Sequence, residues 1–245
     1  MAKVISVSNH KGGVGKTTAV ANLGFALARQ FKVLMIDLDP QANLSSGLGF
    51  ENSPITMATI MKDRIHFQRR DIEPEVITKY VHIIPSSIML NEIEVLLHDK
   101  PDGLSVLKDI LYELKNKYDI IFIDCPPALN YLTLNALNTS NLIVIPAKPE
   151  RFSVKGVNQI SSIADKNNIP FKILFNQVNK RSLFHKRIMK LTRENYNGST
   201  LSHYVRNNVS LAEAFDEAKN IFHYKSESTG AQDFVEIADE LSFYI

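Results

Sequence analysis

Cysteine is nearly missing from this chain of 245 residues. Cys125 stands alone, which excludes a disulfide framework and any metal cluster held by several cysteines of one chain. A single thiol fits a reducing cytosol. No run of 18 apolar residues occurs, and the N-terminus enters a short apolar strand at once, so neither a membrane span nor a signal peptide is expected. No repeat, low-complexity tract or Pro/Gly-rich linker divides the chain, and one domain over residues 1–245 is expected. An excess of one charge is missing too, the formal net charge being +2. The apolar content of 44% is ordinary for a protein that buries a sizeable core.

Balance overall hides a local bias. Residues 177–206 hold seven basic side chains (Lys180, Arg181, Lys186, Arg187, Lys190, Arg193 and Arg206) against one acid, Glu194. A basic face on a near-neutral protein points to a polyanion.

Apolar runs rich in β-formers alternate with helical patterns. Strands are expected at 4–8, 33–36, 81–84, 120–123, 142–146 and 172–176. Helices are expected at 17–30, 103–117, 131–137, 154–166, 184–195, 211–218 and 231–243. Continuous apolar strands such as Ile120-Ile121-Phe122-Ile123 are buried on both faces, as in a parallel sheet covered by helices. The expected fold is α/β, a doubly wound, mostly parallel sheet with ligands at the carboxyl ends of the strands. Residues 51–79, which include Arg69-Arg70, are polar and irregular and are expected to form surface helices and loops.

The first strand runs into Lys11-Gly12-Gly13-Val14-Gly15-Lys16-Thr17-Thr18. A Gly-rich turn between strand and helix aims several backbone N–H groups at one point, and the helix N-terminus adds partial positive charge there. Lys16 can reach terminal phosphates and the Thr17 hydroxyl can ligate Mg²⁺. The pattern G-x-x-x-x-G-K-[ST] is met except that His10 stands at its first glycine. A second lysine, Lys11, is surplus to such a loop and is free to reach elsewhere, for example to a nucleotide bound by another subunit.

Two further strands end in carboxylates. Asp37 and Asp39, two apart, are expected on one side of the second strand's end, one orienting the metal's water and the other an attacking water. Asp124 follows four apolar residues, the Walker B arrangement, and would hold Mg²⁺ through water opposite Thr17. Pro126-Pro127 stiffens the loop that follows. Cys125 reads as a small buried residue, since no base has matching spacing. Asn176 ends another strand, where its amide can meet an adenine edge. Gln177 and Asn179 stand where a guanine-reading motif needs Lys and Asp, which favours ATP over GTP. The helix at 184–195 sets Lys186, Arg187, Lys190 and Arg193 on one side, with Ile188 and Leu191 on another. No helix-turn-helix is evident, so DNA contact would be mostly with phosphates and sensitive to salt.

These residues, with the segment Asp37-Leu38-Asp39-Pro40-Gln41-Ala42-Asn43 and the run Arg206-Asn207-Asn208-Val209-Ser210-Leu211-Ala212-Glu213-Ala214, resemble the deviant Walker A ATPases, and within them the ParA/Soj partition group. Pro146, Glu150 and Gly156 match as well, so the resemblance spans nearly the whole chain. It implies an ATP- and Mg²⁺-dependent homodimer that binds nonspecific DNA and partitions a plasmid or chromosome. Hydrolysis would be slow until a ParB-like protein stimulates it, and the location would be cytoplasmic and nucleoid-associated. Lys11 then resembles the signature lysine that reaches the partner's nucleotide, and Asp39 the aspartate that positions the attacking water. Asp37 would support the metal, Asn176 would contact adenine, and Arg206 stands where the group often carries a proline near the adenine. The start at a first strand resembles the short type without an N-terminal site-specific DNA-binding domain.

Three other readings share parts of this pattern. One is the same engine positioning a protein cargo on the nucleoid, which the sequence does not separate from DNA partition. A MinD-like membrane cycle needs a basic amphipathic end, whereas residues 231–245 hold four acids and no Lys or Arg, so no membrane partner is expected. A redox or biosynthetic P-loop enzyme would need paired cysteines or a substrate pocket.

Overall fold

The computed structural model describes residues 1–68 and 70–245, with backbone alone for 151–154. Arg69, of the pair noted above, lies outside the described residues. Strands β1 (Lys3–Val7), β2 (Val33–Asp37), β3 (Glu75–Thr78), β4 (Val81–Ile84), β5 (Ile120–Asp124), β6 (Leu142–Ala147) and β7 (Phe171–Phe175) form one sheet in the order β3-β4-β2-β5-β1-β6-β7. All neighbours are parallel except β3 and β4. The helices in chain order are α1 (Lys16–Leu27), α2 (Asn43–Ser46), α3 (Met57–Ile65), α4 (Leu90–Asp99), α5 (Val106–Leu114), α6 (Tyr131–Thr139), α7 (Arg151–Lys166), α8 (Leu183–Asn195), α9 (Ser210–Asp216), α10 (Ile221–Lys225) and α11 (Thr229–Ser242).

Successive strand residues face opposite sides of a sheet, and both sides here are apolar. Ile5, Met35, Phe122 and Val144 pack on one side against α1, α10 and α11, through Leu23, Ile221 and Phe234. Val4, Ile36, Ile121 and Ile123 pack on the other against α3 to α6, through Met61, Ile93, Ile110 and Leu132. Val157, Ile160 and Ala164 of α7 cover Ile143, Ile145 and Ile173 on that second side. The expected doubly wound parallel sheet is the fold. The central position of β1 places the loop that follows it between β5 and β6, where connections diverge to the two halves of the sheet.

Several elements differ from expectation. Residues 51–79 do not stay on the surface, because α3 buries Met57, Ala58, Ile60 and Met61. The same segment supplies the antiparallel edge strand β3. Helix α4 was unexpected, although Leu90, Ile93 and Leu97 repeat at helical spacing and are its buried face. In α8 the inward residues are Ile188, Met189 and Thr192, while Leu191 is 45% exposed. Thr192 can occupy the inner face because its hydroxyl donates to the Ile188 carbonyl at 2.9 Å.

Candidate functional site

The register of the central strands builds the site. Val7, Asp37 and Asp124 are directly paired across β1, β5 and β2, so the phosphate loop and both carboxylates leave the sheet at one level. Asn9, fully buried, fixes the first step out of β1. Its amide donates to the Pro146 carbonyl at 2.6 Å and its oxygen accepts the Lys11 N–H at 3.0 Å. A Cβ on Gly156 of α7 would stand 2.1 Å from that oxygen, so only glycine allows the helix to pass so close.

Gly15 ends the loop at φ +88°, a left-handed conformation that glycine adopts without steric cost. Helix α1 then begins at Lys16 with no side-chain cap and no acid in its first turn. Its leading N–H groups and dipole are therefore available to an anion. The two lysines differ in surroundings. Lys16 is only 7% exposed beneath the loop, whereas Lys11 lies at the rim with its ammonium 3.3 Å from the Glu150 carboxylate.

The two carboxylates of the 37–39 pair differ in their surroundings. Asp37 is fully buried and accepts three hydrogen bonds, from the Asp39 N–H at 3.1 Å and from the Ser45 N–H and hydroxyl at 2.9 and 2.7 Å. Asp39 lies beyond the strand end and accepts the Gln41 N–H at 3.0 Å. The Ser86 hydroxyl donates to the Asp39 carbonyl at 2.6 Å, and the Ser86 N–H donates to the Ser45 hydroxyl at 2.8 Å. Asp37 thus braces the segment that carries Asp39. Burial pushes its pKa up to about 6, against the pull of the Ser45 and Asp39 donors.

Asp124 is buried and both its carboxylate oxygens lack a hydrogen-bond partner. Burial and the neighbouring Asp37 charge raise its pKa well above the usual carboxylate range, with Thr17 and Lys16 pulling the other way. An orphaned buried carboxylate beside a lysine and a threonine hydroxyl fits a hydrated cation. Among the described residues no three acidic, His or Cys side chains converge on one point. A cation here would take its ligands from Thr17, phosphate oxygens and water, as Mg²⁺ does. Cys125 is buried and inert, its thiol pushed to about 12 by burial.

The remaining expected residues divide. Asn176 is 3% exposed, and its amide donates to the Val14 carbonyl at 2.8 Å, toward the loop itself. Lys180, Lys186, Lys190 and Arg193 line an open cavity of about 370 Å³ with Asn179 and Tyr204. Arg181 and Arg187 are exposed beside it on the same segment. Arg206 does not join this face. Its guanidinium is 2.6 Å from Asp233 and also donates to the Thr229 carbonyl, so it is committed to α11 rather than to a base or a phosphate. Asn9, Ser45 and Ser86 carried no sequence signal, since their partners are distant in the chain or are backbone groups.

A glycine-rich anion cradle at the topological switch point, a buried Walker B carboxylate and a second lysine at the rim define a P-loop ATPase of deviant Walker A type. Residues 2–173 match the model of the AAA domain family. The sporulation initiation inhibitor protein Soj of Bacillus subtilis is 33% identical over 252 residues, covering 99% of each chain. The chromosome-partitioning ATPase Soj of Treponema pallidum is 34% identical, covering 98% of this chain and 97% of that one. The solved structure of cobyrinic acid a,c-diamide synthase from Mycobacterium smegmatis, with bound ADP and magnesium, has a TM-score of 0.78 at 29% identity, over 98% of this chain and 93% of that one. The chain belongs to the Soj/ParA family of partition ATPases.

Proposed function

We propose that this chain is an ATP-driven switch. Two copies close around two ATP molecules, the closed dimer binds DNA without sequence preference, and hydrolysis stimulated by a ParB-like partner resets it. The observation that carries this reading is the pair of lysines. Lys16 alone suffices for a phosphate loop, while Lys11 sits half-exposed at the rim, held by one ion pair with Glu150. Such a pair is weak in water and exchanges readily for a phosphate of a nucleotide held by a second copy.

In this reading Lys16 and the loop N–H groups bind the β- and γ-phosphates, Thr17 ligates the metal and Asp124 holds its water. Mg²⁺ supplies neutralisation of the charge developing on the phosphate oxygens. Asp39 orients a water in line with the γ-phosphorus; the new P–O bond forms as the bond to the bridging oxygen breaks, leaving ADP and phosphate. Asp37, which accepts the Asp39 N–H and the Ser45 N–H and hydroxyl, holds the catalytic segment and would support the metal's water shell. The basic cavity side chains and the exposed Arg181 and Arg187 form the DNA face, reading phosphates. One domain over residues 1–245 and a nucleoid-associated, cytoplasmic location belong to the same reading.

Fluorescence anisotropy on a random duplex tests it, with Mg²⁺ and ATP or ADP, using the wild type and Asp39→Ala. Binding should require ATP, and Asp39→Ala should stay bound while wild type releases as ATP is consumed. Absence of DNA binding in protein that binds ATP sinks the reading. A second reading, an ATP-using biosynthetic enzyme, is favoured by the 29% likeness to the Mycobacterium smegmatis structure. ATP turnover driven by a small metabolite, with no effect of DNA, would support it.

A further inference from the structure

The segment after β7 touches the phosphate loop from behind. Asn176 Nδ2 donates to the Val14 carbonyl at 2.8 Å, and Gln177 Nε2 donates to the Gly13 carbonyl at 3.3 Å. The Asn176 oxygen accepts the Gln177 backbone N–H at 2.8 Å, which fixes the orientation of the Asn176 amide. Contact is so close that a Cβ on Gly15 would stand 1.9 Å from Asn176 Nδ2. The backbone on either side is pinned, with Asn176 N–H on the Ala147 carbonyl and Val178 N–H on the Val205 carbonyl. Gln177 itself is held at φ +55°, a conformation a non-glycine residue keeps only when its surroundings impose it.

In a planar trans peptide the N–H points opposite to the preceding C=O. Drawing the Gly13 and Val14 carbonyls toward β7 therefore turns the Val14 and Gly15 N–H groups the other way, into the cradle. We propose that Asn176 and Gln177 are positioning residues of the phosphate loop, acting on the triphosphate through two oriented peptide units. For Asn176 this replaces the adenine contact expected by resemblance. The proposal rests on the Mg·ATP site described above.

The test is competition against a fluorescent ADP analogue by Mg·ATP and by magnesium pyrophosphate, which has no base, with thermal unfolding measured alongside. The variants are Asn176→Asp, whose carboxylate would oppose the Val14 carbonyl, and Gln177→Gly, which deletes the donor and relieves the left-handed strain. Each variant should weaken ATP and pyrophosphate by the same factor, about 2–10-fold for an oriented hydrogen bond. Gln177→Gly should do so with an unchanged or higher Tm, a separation that a merely structural role does not give. Asn176→Asp weakening ATP alone would assign Asn176 to the base, and Gln177→Gly binding pyrophosphate like wild type would remove Gln177 from the loop; either overturns the proposal. If Asn176→Asp does not fold, Gln177→Gly alone decides. Wild type that binds neither ligand overturns the nucleotide site and this inference together.

Discussion

Asp124 is a residue the apo fold would be more stable without. Its carboxylate is buried with no hydrogen-bond partner, and Asp37 is buried beside it, so both resist ionisation. An acid whose folded pKa is raised above the unfolded value stabilises the fold at low pH, and that stability is lost as pH rises through the folded pKa. For Asp37 the window runs from its usual 3.8 to about 6, and for Asp124 it likewise opens upward from the usual carboxylate value. Asp124→Asn keeps the shape and removes one of the two charges. The nucleotide-free variant should melt a few degrees above wild type at pH 7, with a flatter stability profile between pH 4 and 7. It should also lose most of the stabilisation that Mg·ATP gives wild type. Calorimetric scans across pH, with and without Mg·ATP, check both; a lower apo melting temperature for the variant would show that the ionised carboxylate is satisfied in solution. Lys16, Thr17 and Asp124 were legible in the sequence because each lies in a short contiguous motif. The groups that hold Asp37 were not, because the Ser45 hydroxyl reaches it, and the Ser86 N–H reaches the Ser45 hydroxyl, only once α2 and the end of β4 are folded against β2.

At the scale of elements, the short α2 shows where local geometry and sequence conflict. Its N-cap, Ala42, sits at φ +52° and ψ +33°, left-handed space that costs a non-glycine residue roughly 1–2 kcal/mol. Contacts on both sides impose it. The Ala42 N–H donates to the Asp39 carbonyl at 2.9 Å, and the Ala42 carbonyl accepts the Ser46 N–H and hydroxyl, each at 2.9 Å. Ala42→Gly relieves the strain but gains freedom in the unfolded chain worth about 0.4–1 kcal/mol. The net expectation is stabilisation of roughly 0.5–1 kcal/mol, read as a rightward shift of the urea midpoint with unchanged slope. A leftward shift would mean that the strain is relaxed in solution. The same conflict explains what was missed among elements. Continuous apolar strands announced themselves, whereas α2, of four residues, and β3, with no fully buried residue, have too little apolar pattern to read. The bounds expected for α8 lie within one residue of the helix, but its apolar face, expected through Ile188 and Leu191, turns through Met189 and Thr192, because a buried threonine has no hydrophobic signature.

At the scale of the molecule, the chain separates its charges rather than accumulating them. A net charge of +2 gives little long-range attraction to a polyanion, so in the proposed function affinity for DNA would have to come from the local basic cluster. Each phosphate neutralised releases condensed counterions, and the logarithm of the binding constant then falls with the logarithm of salt by about 0.9 per contact on duplex DNA. Lys186 and Lys190 line the cavity beside α8, with Arg187 exposed on the same helix, whereas Arg206 is tied to Asp233. The double substitution Lys186→Ala/Arg187→Ala should therefore lower the salt slope of ATP-dependent DNA binding by about 2 and weaken binding equally on unrelated sequences. Arg206→Ala should leave that slope unchanged and instead lower the melting temperature, because it strands Asp233, 4% exposed in its side chain, without its cation. Anisotropy at several salt concentrations and a thermal melt separate the two. A salt slope that falls for Arg206→Ala and not for the double variant would move the DNA face from α8 to the α11 side of the molecule.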